Sequence, residues 1–109
     1  MAIESGAWGL SSETITRLQQ VFERHPEVES ALLYGSRAKG NYRKGSDIDL
    51  TLIGPELQPL HLIQIETEID ELLTPYSFDL SIYSELESPE LLDHIERVGV
   101  EFYRRGASL

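Results

Sequence analysis

Cysteine is absent from this 109-residue chain, and methionine and tryptophan occur once each. No disulfide framework and no thiolate metal site can form, which suits a reducing compartment. Basic residues are scarce too: 9 Lys and Arg stand against 19 Asp and Glu, for a formal net charge of −10. Such a surface repels nucleic-acid phosphate and anionic membrane over most of its area. It favours a basic protein partner, or a local basic pocket set in an acidic body. Apolar runs are only a few residues long, far below a bilayer span. Met1 to Leu10 carries Glu4 and has no basic stretch followed by an apolar one, so no secretory signal is read there. The expectation is a cytoplasmic protein with a single domain over residues 1–109 and no direct contact with nucleic acid or membrane.

What is present is an alternation of periodicities. Residues 1–10 read as a loose lead-in, with Trp8 as an anchor onto the core or a partner. Ser11 or Ser12 can cap a helix bearing Ile15, Leu18, Val21 and Phe22, which His25-Pro26 ends. Val28 to Tyr34 reads as a strand, Gly35 to Gly40 as a turn or single helical turn, and residues 41–46 as a loop. Asp47 to Ile53 is a second strand, stopped by Gly54-Pro55. Leu60, Ile63, Ile65, Ile69, Leu72 and Leu73 mark a second helix, closed by Thr74-Pro75. Phe78 to Tyr83 is a third strand, and Ser88-Pro89-Glu90 starts a last helix with a break near Gly99. Glu101 to Arg105 either continues that helix, where Tyr103, Arg104 and Arg105 would suit its dipole or a partner, or lies along the core. The pattern predicts an α/β or α+β domain: a small mixed sheet of three or more strands flanked by helices.

Two of those strands carry acids where acids are poor strand formers. Side chains alternate along a strand, so Ile48, Leu50 and Leu52 share one face while Asp47 and Asp49 share the other, about 6–7 Å apart. Phe78, Leu80 and Ile82 likewise point away from Asp79. If these strands are neighbours, three carboxylates converge on one face. Two unit charges about 4 Å apart repel by roughly 4 kcal/mol at an effective dielectric near 20, so the cluster needs a cation or a proton. Oxygen donors without His or Cys point to Mg²⁺ or Mn²⁺. Any one of these Asp residues could equally be a solvated acid. Thr51, Ser81 and Tyr83 share the same faces, so a merely polar face stays open.

Directly after the first strand comes Tyr34-Gly35-Ser36-Arg37-Ala38-Lys39-Gly40. Glycine lets the backbone turn sharply and lets an anion approach the chain. Serine at a helix start offers a hydroxyl and exposed N–H groups. Arg37, Lys39, Arg43 and Lys44 place four of the nine basic residues within eight positions. Basic loop and acidic strands together describe a site for a metal-bridged polyphosphate. The loop is not a Walker-type P-loop, which would end in Gly-Lys-Ser/Thr.

Gly35-Ser36, ten residues, then Asp47-x-Asp49 resembles the signature of the polymerase-beta-like nucleotidyltransferase superfamily. The stretch from Tyr34 through Leu50, with Ser46 before the first Asp, is similar to its small prokaryotic branch, the minimal nucleotidyltransferase (MNT) domains. That resemblance implies a nucleotidyltransferase fold. It implies nucleotide contacts from Gly35, Ser36, Arg37, Lys44 and Ser46. Asp47, Asp49 and Asp79 would be the catalytic metal ligands, holding two Mg²⁺ ions when nucleotide is bound, with ATP as the substrate. It further implies an antitoxin that pairs with a helical HEPN-domain toxin and transfers AMP onto it, in a hetero-oligomer.

Three other readings stay open on the residues alone. The chain could neutralise a basic toxin by contact without catalysis. It could act on a small molecule, although it carries no accessory domain to seat one. It could be an interaction domain whose acids are incidental. His25, His61 and His94 show no metal-site spacing and read as surface or boundary residues.

Overall fold

Ser11 accepts a hydrogen bond from the Thr14 N–H and starts the first helix, as a short hydroxyl residue before an apolar-periodic stretch should. The computed structural model describes residues 7–106. Its elements run α1 (Ser12–Glu23), β1 (Ser30–Tyr34), α2 (Gly35–Lys39), β2 (Ile48–Ile53), α3 (Pro59–Asp70), β3 (Phe78–Ile82), a 3-10 turn (Tyr83–Glu85), α4 (Pro89–Val98) and β4 (Val100–Arg104). The sheet order is β3-β2-β1-β4. β1 runs antiparallel to β2 and β4, whereas β2 and β3 are parallel and joined through α3. This is the mixed, helix-flanked sheet the sequence predicts.

The core lies between one face of the sheet and helices α1 and α3. Leu18, Val21 and Phe22 of α1 and Ile65 and Ile69 of α3 bury against Ala31, Leu33, Ile48, Leu50, Leu52, Leu80, Ile82 and Phe102. Trp8 packs on Phe102 with ring centroids 5.4 Å apart, and Leu10 is fully buried. Trp8 and Leu10 of the lead-in therefore belong to the core, while residues 1–6 lie outside the described part.

Three expectations are corrected. Residues 100–104 form β4 on the free edge of β1, so Tyr103 and Arg104 lie in a strand rather than at a helix end. Arg105 does serve a helix dipole, but that of α1. Its guanidinium donates to the carbonyls of Phe22 (3.2 Å), His25 (2.7 Å) and Val28 (3.0 Å), where α1 has no basic residue in its own last turn. Finally, α3 ends at Asp70, and its inward stripe is Leu62, Ile65 and Ile69. Leu60 (61 %) and Ile63 (59 %) are exposed because the helix turns their positions away from the sheet, and Leu73 (87 %) because it lies in the loop past the helix end, at φ +56°.

Candidate functional site

The strand registers bring the acids together. In the parallel β2–β3 pair Asp49 lies opposite Asp79, and in the antiparallel β1–β2 pair Tyr34 lies opposite Asp49. Tyr34, Asp49 and Asp79 thus form one rung across three strands on a single face. On the next rung the Ser81 hydroxyl donates to the Thr51 hydroxyl at 2.9 Å. Asp47 stands one residue before β2 and is exposed, as is Asp79, while Asp49 is half-buried. The opposite face carries the buried Ile48, Leu50, Leu52, Leu80 and Ile82, which pins the register: a one-residue slip would put acids into the core.

The charges feel one another. Burial first, then the Asp79 carboxylate and then Asp47, push the Asp49 carboxyl up to about 6. Burial also raises the Tyr34 phenol above its ordinary value, a hydrogen bond with Ser81 works against this, and Asp79 and Asp49 add to the rise. Among the described residues no three His or acidic side chains stand close enough to cage an ion by themselves. The donors are nonetheless all oxygens at a spot short of positive charge, which fits a hard divalent cation. Magnesium is commonly held by one or two carboxylates, with substrate phosphates completing its shell.

Gly35 places the loop beside these acids. Its φ is +79°, and a Cβ there would collide with the Asp49 carboxylate, so only glycine allows this approach. The turn or single helical turn expected over residues 35–40 is a five-residue helix, α2, closed by Gly40 at φ 89°. Ser36 is half-buried at its start. The Gly35 N–H donates to His94 Nε2 of α4 at 3.0 Å, and the His94 ring meets Tyr34 edge-on with centroids 6.1 Å apart. Sequence spacing assigned His94 no part in the site. No periodic signal links a residue of α4 to a loop 59 positions earlier.

Arg37 and Ser46, expected among the nucleotide contacts, are engaged within the protein. Arg37 is 3 % exposed. Its guanidinium donates to the Ser46 carbonyl (2.9 and 3.2 Å) and the Trp8 carbonyl (2.9 Å), between the rings of Tyr42 and Tyr76 at 5.2 and 5.3 Å. The Ser46 hydroxyl accepts from the Arg43 N–H at 2.8 Å and closes the turn before Asp47. These two residues brace the segment that delivers Asp47 and Asp49. Lys39, Arg43 and Lys44 are exposed. Arg37→Lys should cost about 2 kcal/mol in a urea melt, because an ammonium cannot fork onto one carbonyl while reaching a second. An unchanged midpoint would remove the bracing role.

Two concavities of about 420 Å³ lie elsewhere, one between α1 and β4 and one lined by Glu66, Ile69, Asp70, Tyr76, Ser77, Phe78 and Leu80. Neither is lined by Asp47, Asp49 or Asp79.

Comparison with known proteins points the same way. The family model described as polymerase beta, nucleotidyltransferase matches residues 16–107. No functionally curated protein matches the chain. Among solved structures, a toxin–antitoxin crystal structure with AMP-PNP aligns at TM-score 0.66 and 19 % identity, over 89 % of this chain and 76 % of that one. A Shewanella oneidensis complex of tri-AMPylated HEPN toxin with MNT antitoxin aligns at TM-score 0.62 and 15 % identity, over 84 % and 71 %. A MntA–HepT toxin–antitoxin structure gives TM-score 0.61 at 15 % identity, over 84 % and 71 %. At these identities the likeness is one of fold.

Proposed function

Because this chain belongs to the polymerase beta nucleotidyltransferase family, we propose that it transfers AMP from ATP, with Mg²⁺, onto a hydroxyl of a HEPN-fold partner protein and so acts as an antitoxin. The observation that carries this reading is the rung of Asp49 and Asp79 set against the Gly35-Ser36 turn. The solved complexes of the same fold, one with AMP-PNP and one with an AMPylated HEPN toxin, support the choice of nucleotide and partner.

Asp47, Asp49 and Asp79 would hold the metal, which would supply positive charge against the phosphates and lower the barrier at phosphorus. Asp79, exposed on the edge strand β3, would take the proton of the acceptor hydroxyl. The acceptor oxygen then bonds to the α-phosphorus, the bond to the β-phosphate bridging oxygen breaks, and pyrophosphate leaves. Ser36 offers its hydroxyl to the phosphates, Gly35 lets them approach the backbone, and Lys39, Arg43 or Lys44 offsets the pyrophosphate charge. The exposure of Asp79 on an edge strand suits an acceptor presented to the acids by another protein.

The test is incubation with α-labelled ATP, Mg²⁺ and the product of the adjacent open reading frame. Label should appear on that product, vanish with EDTA, and fail to appear from γ-labelled ATP. The net charge of −10 favours one second reading, neutralisation of a basic partner by contact. An Asp47→Asn/Asp49→Asn protein that still neutralises its partner, without labelling it, would select that reading.

A further inference from the structure

His94 reaches the Gly35 turn from α4, on the acid-bearing side of the sheet. We propose that His94 is a positioning residue for nucleotide binding: its Nε2 holds the Gly35 N–H, and through it the Gly35-Ser36 turn, in register with Asp49. The inference rests on the nucleotidyl-transfer reading and deepens it.

Three observations combine. Gly35 sits at φ +79°, a conformation glycine adopts without steric cost but is equally free to leave, so something else must hold it there. Its hydrogen bond to His94 is 3.0 Å long and partly buried, so it is shielded from competition by water. Gly35 also has no room to move toward Asp49, since even a methyl group there would overlap the carboxylate. The turn is thus confined on one side by Asp49 and tethered on the other by His94. Loss of the tether frees the turn to drift away from the acids, and a phosphate held by Ser36 drifts with it. The bond also sets the imidazole's chemistry. Nε2 accepts this bond, so the ring's donor N–H is on Nδ1. The Gly35 N–H is spent on the protein, leaving the Ser36 hydroxyl and N–H as the donors of this pair that meet the nucleotide.

The test uses the full chain, wild type and two variants. His94→Gln keeps an acceptor at the reach of Nε2, and His94→Phe keeps the ring volume without one. Amide exchange of Gly35 by NMR should be slow in wild type and His94→Gln and fast in His94→Phe, with the β-sheet amides unchanged. Binding of Mg²⁺–AMP-PNP by calorimetry should weaken about tenfold in His94→Phe, the equivalent of one partly buried hydrogen bond, and recover to within about threefold in His94→Gln. Equal affinity in all three proteins would overturn the inference. If His94→Phe fails to fold, wild-type ¹⁵N shifts of the His94 ring decide: a protonated Nε2 at pH 7.5 excludes the tether. Asp49→Asn serves as the reference. If wild type and Asp49→Asn bind Mg²⁺–AMP-PNP equally, the nucleotide reading itself fails. If only Asp49→Asn loses binding, the nucleotide reading stands and the role of His94 falls.

Discussion

Asp49→Asn should lower nucleotidyl transfer by about 10²–10³-fold, the effect of removing one carboxylate ligand worth several kcal/mol of charge stabilisation. It should also make the metal-free protein more stable at neutral pH. Burial and the neighbouring Asp79 and Asp47 carboxylates raise the Asp49 carboxyl to about 6, against about 3.9 in an unfolded chain. The folded state therefore binds this proton more tightly than the unfolded state does. The stability it contributes is fully present below about pH 4 and is lost as pH rises through 6. An asparagine never carries the charge, so its advantage over wild type is absent near pH 4 and complete by pH 7.5. Solvent screening of a half-exposed group reduces the full shift to about 1 kcal/mol, or roughly 4 °C in Tm. Urea melts in EDTA at pH 4.5 and 7.5 measure it. A wild-type protein as stable as the variant at pH 7.5 would mean that burial and the neighbouring carboxylates do not oppose ionisation of Asp49.

Gly35→Ala should be the most damaging single methyl in the loop. The left-handed backbone costs an L-residue about 1–2 kcal/mol, and here the added Cβ also overlaps the Asp49 carboxylate. The sum is about 3 kcal/mol of stability. Transfer should fall by at least about 10²-fold, since the loop and the acid cannot both keep their places. Gly40→Ala separates the two causes. Gly40 has φ +89°, but a methyl group there would meet nothing within 4 Å, so the substitution should cost only about 1 kcal/mol. If the two variants melt together in urea, the close approach of Gly35 to Asp49 is not what makes that glycine necessary.

The acids and the loop were legible because each departs from what its local structure prefers. Asp47-x-Asp49 and Asp79 interrupt strands at one parity, and Gly35-Ser36 puts a flexible turn beside scarce positive charge. Strand alternation is a local rule, so the shared face followed once the strands were taken as neighbours. The same rule overreached where neighbours decide the outcome. Leu60 and Ile63 look like core by hydrophobicity, yet a helix can turn only one stripe to the sheet, and that stripe is set by where the sheet lies; Leu73 falls beyond the helix end. Five residues such as 100–104 fit a helix end or a strand equally well until β1 offers a free edge.

Sequence alone determined the serine caps of α1 and α4, the parity of the carboxylates and the glycine at the site, because each depends on residues within a few positions of one another. Tertiary structure decided the tasks of Arg37, His94 and Arg105. Each is a polar side chain whose partner is a backbone group, and only the folded path of the chain determines which N–H or carbonyl is left without a partner and within reach.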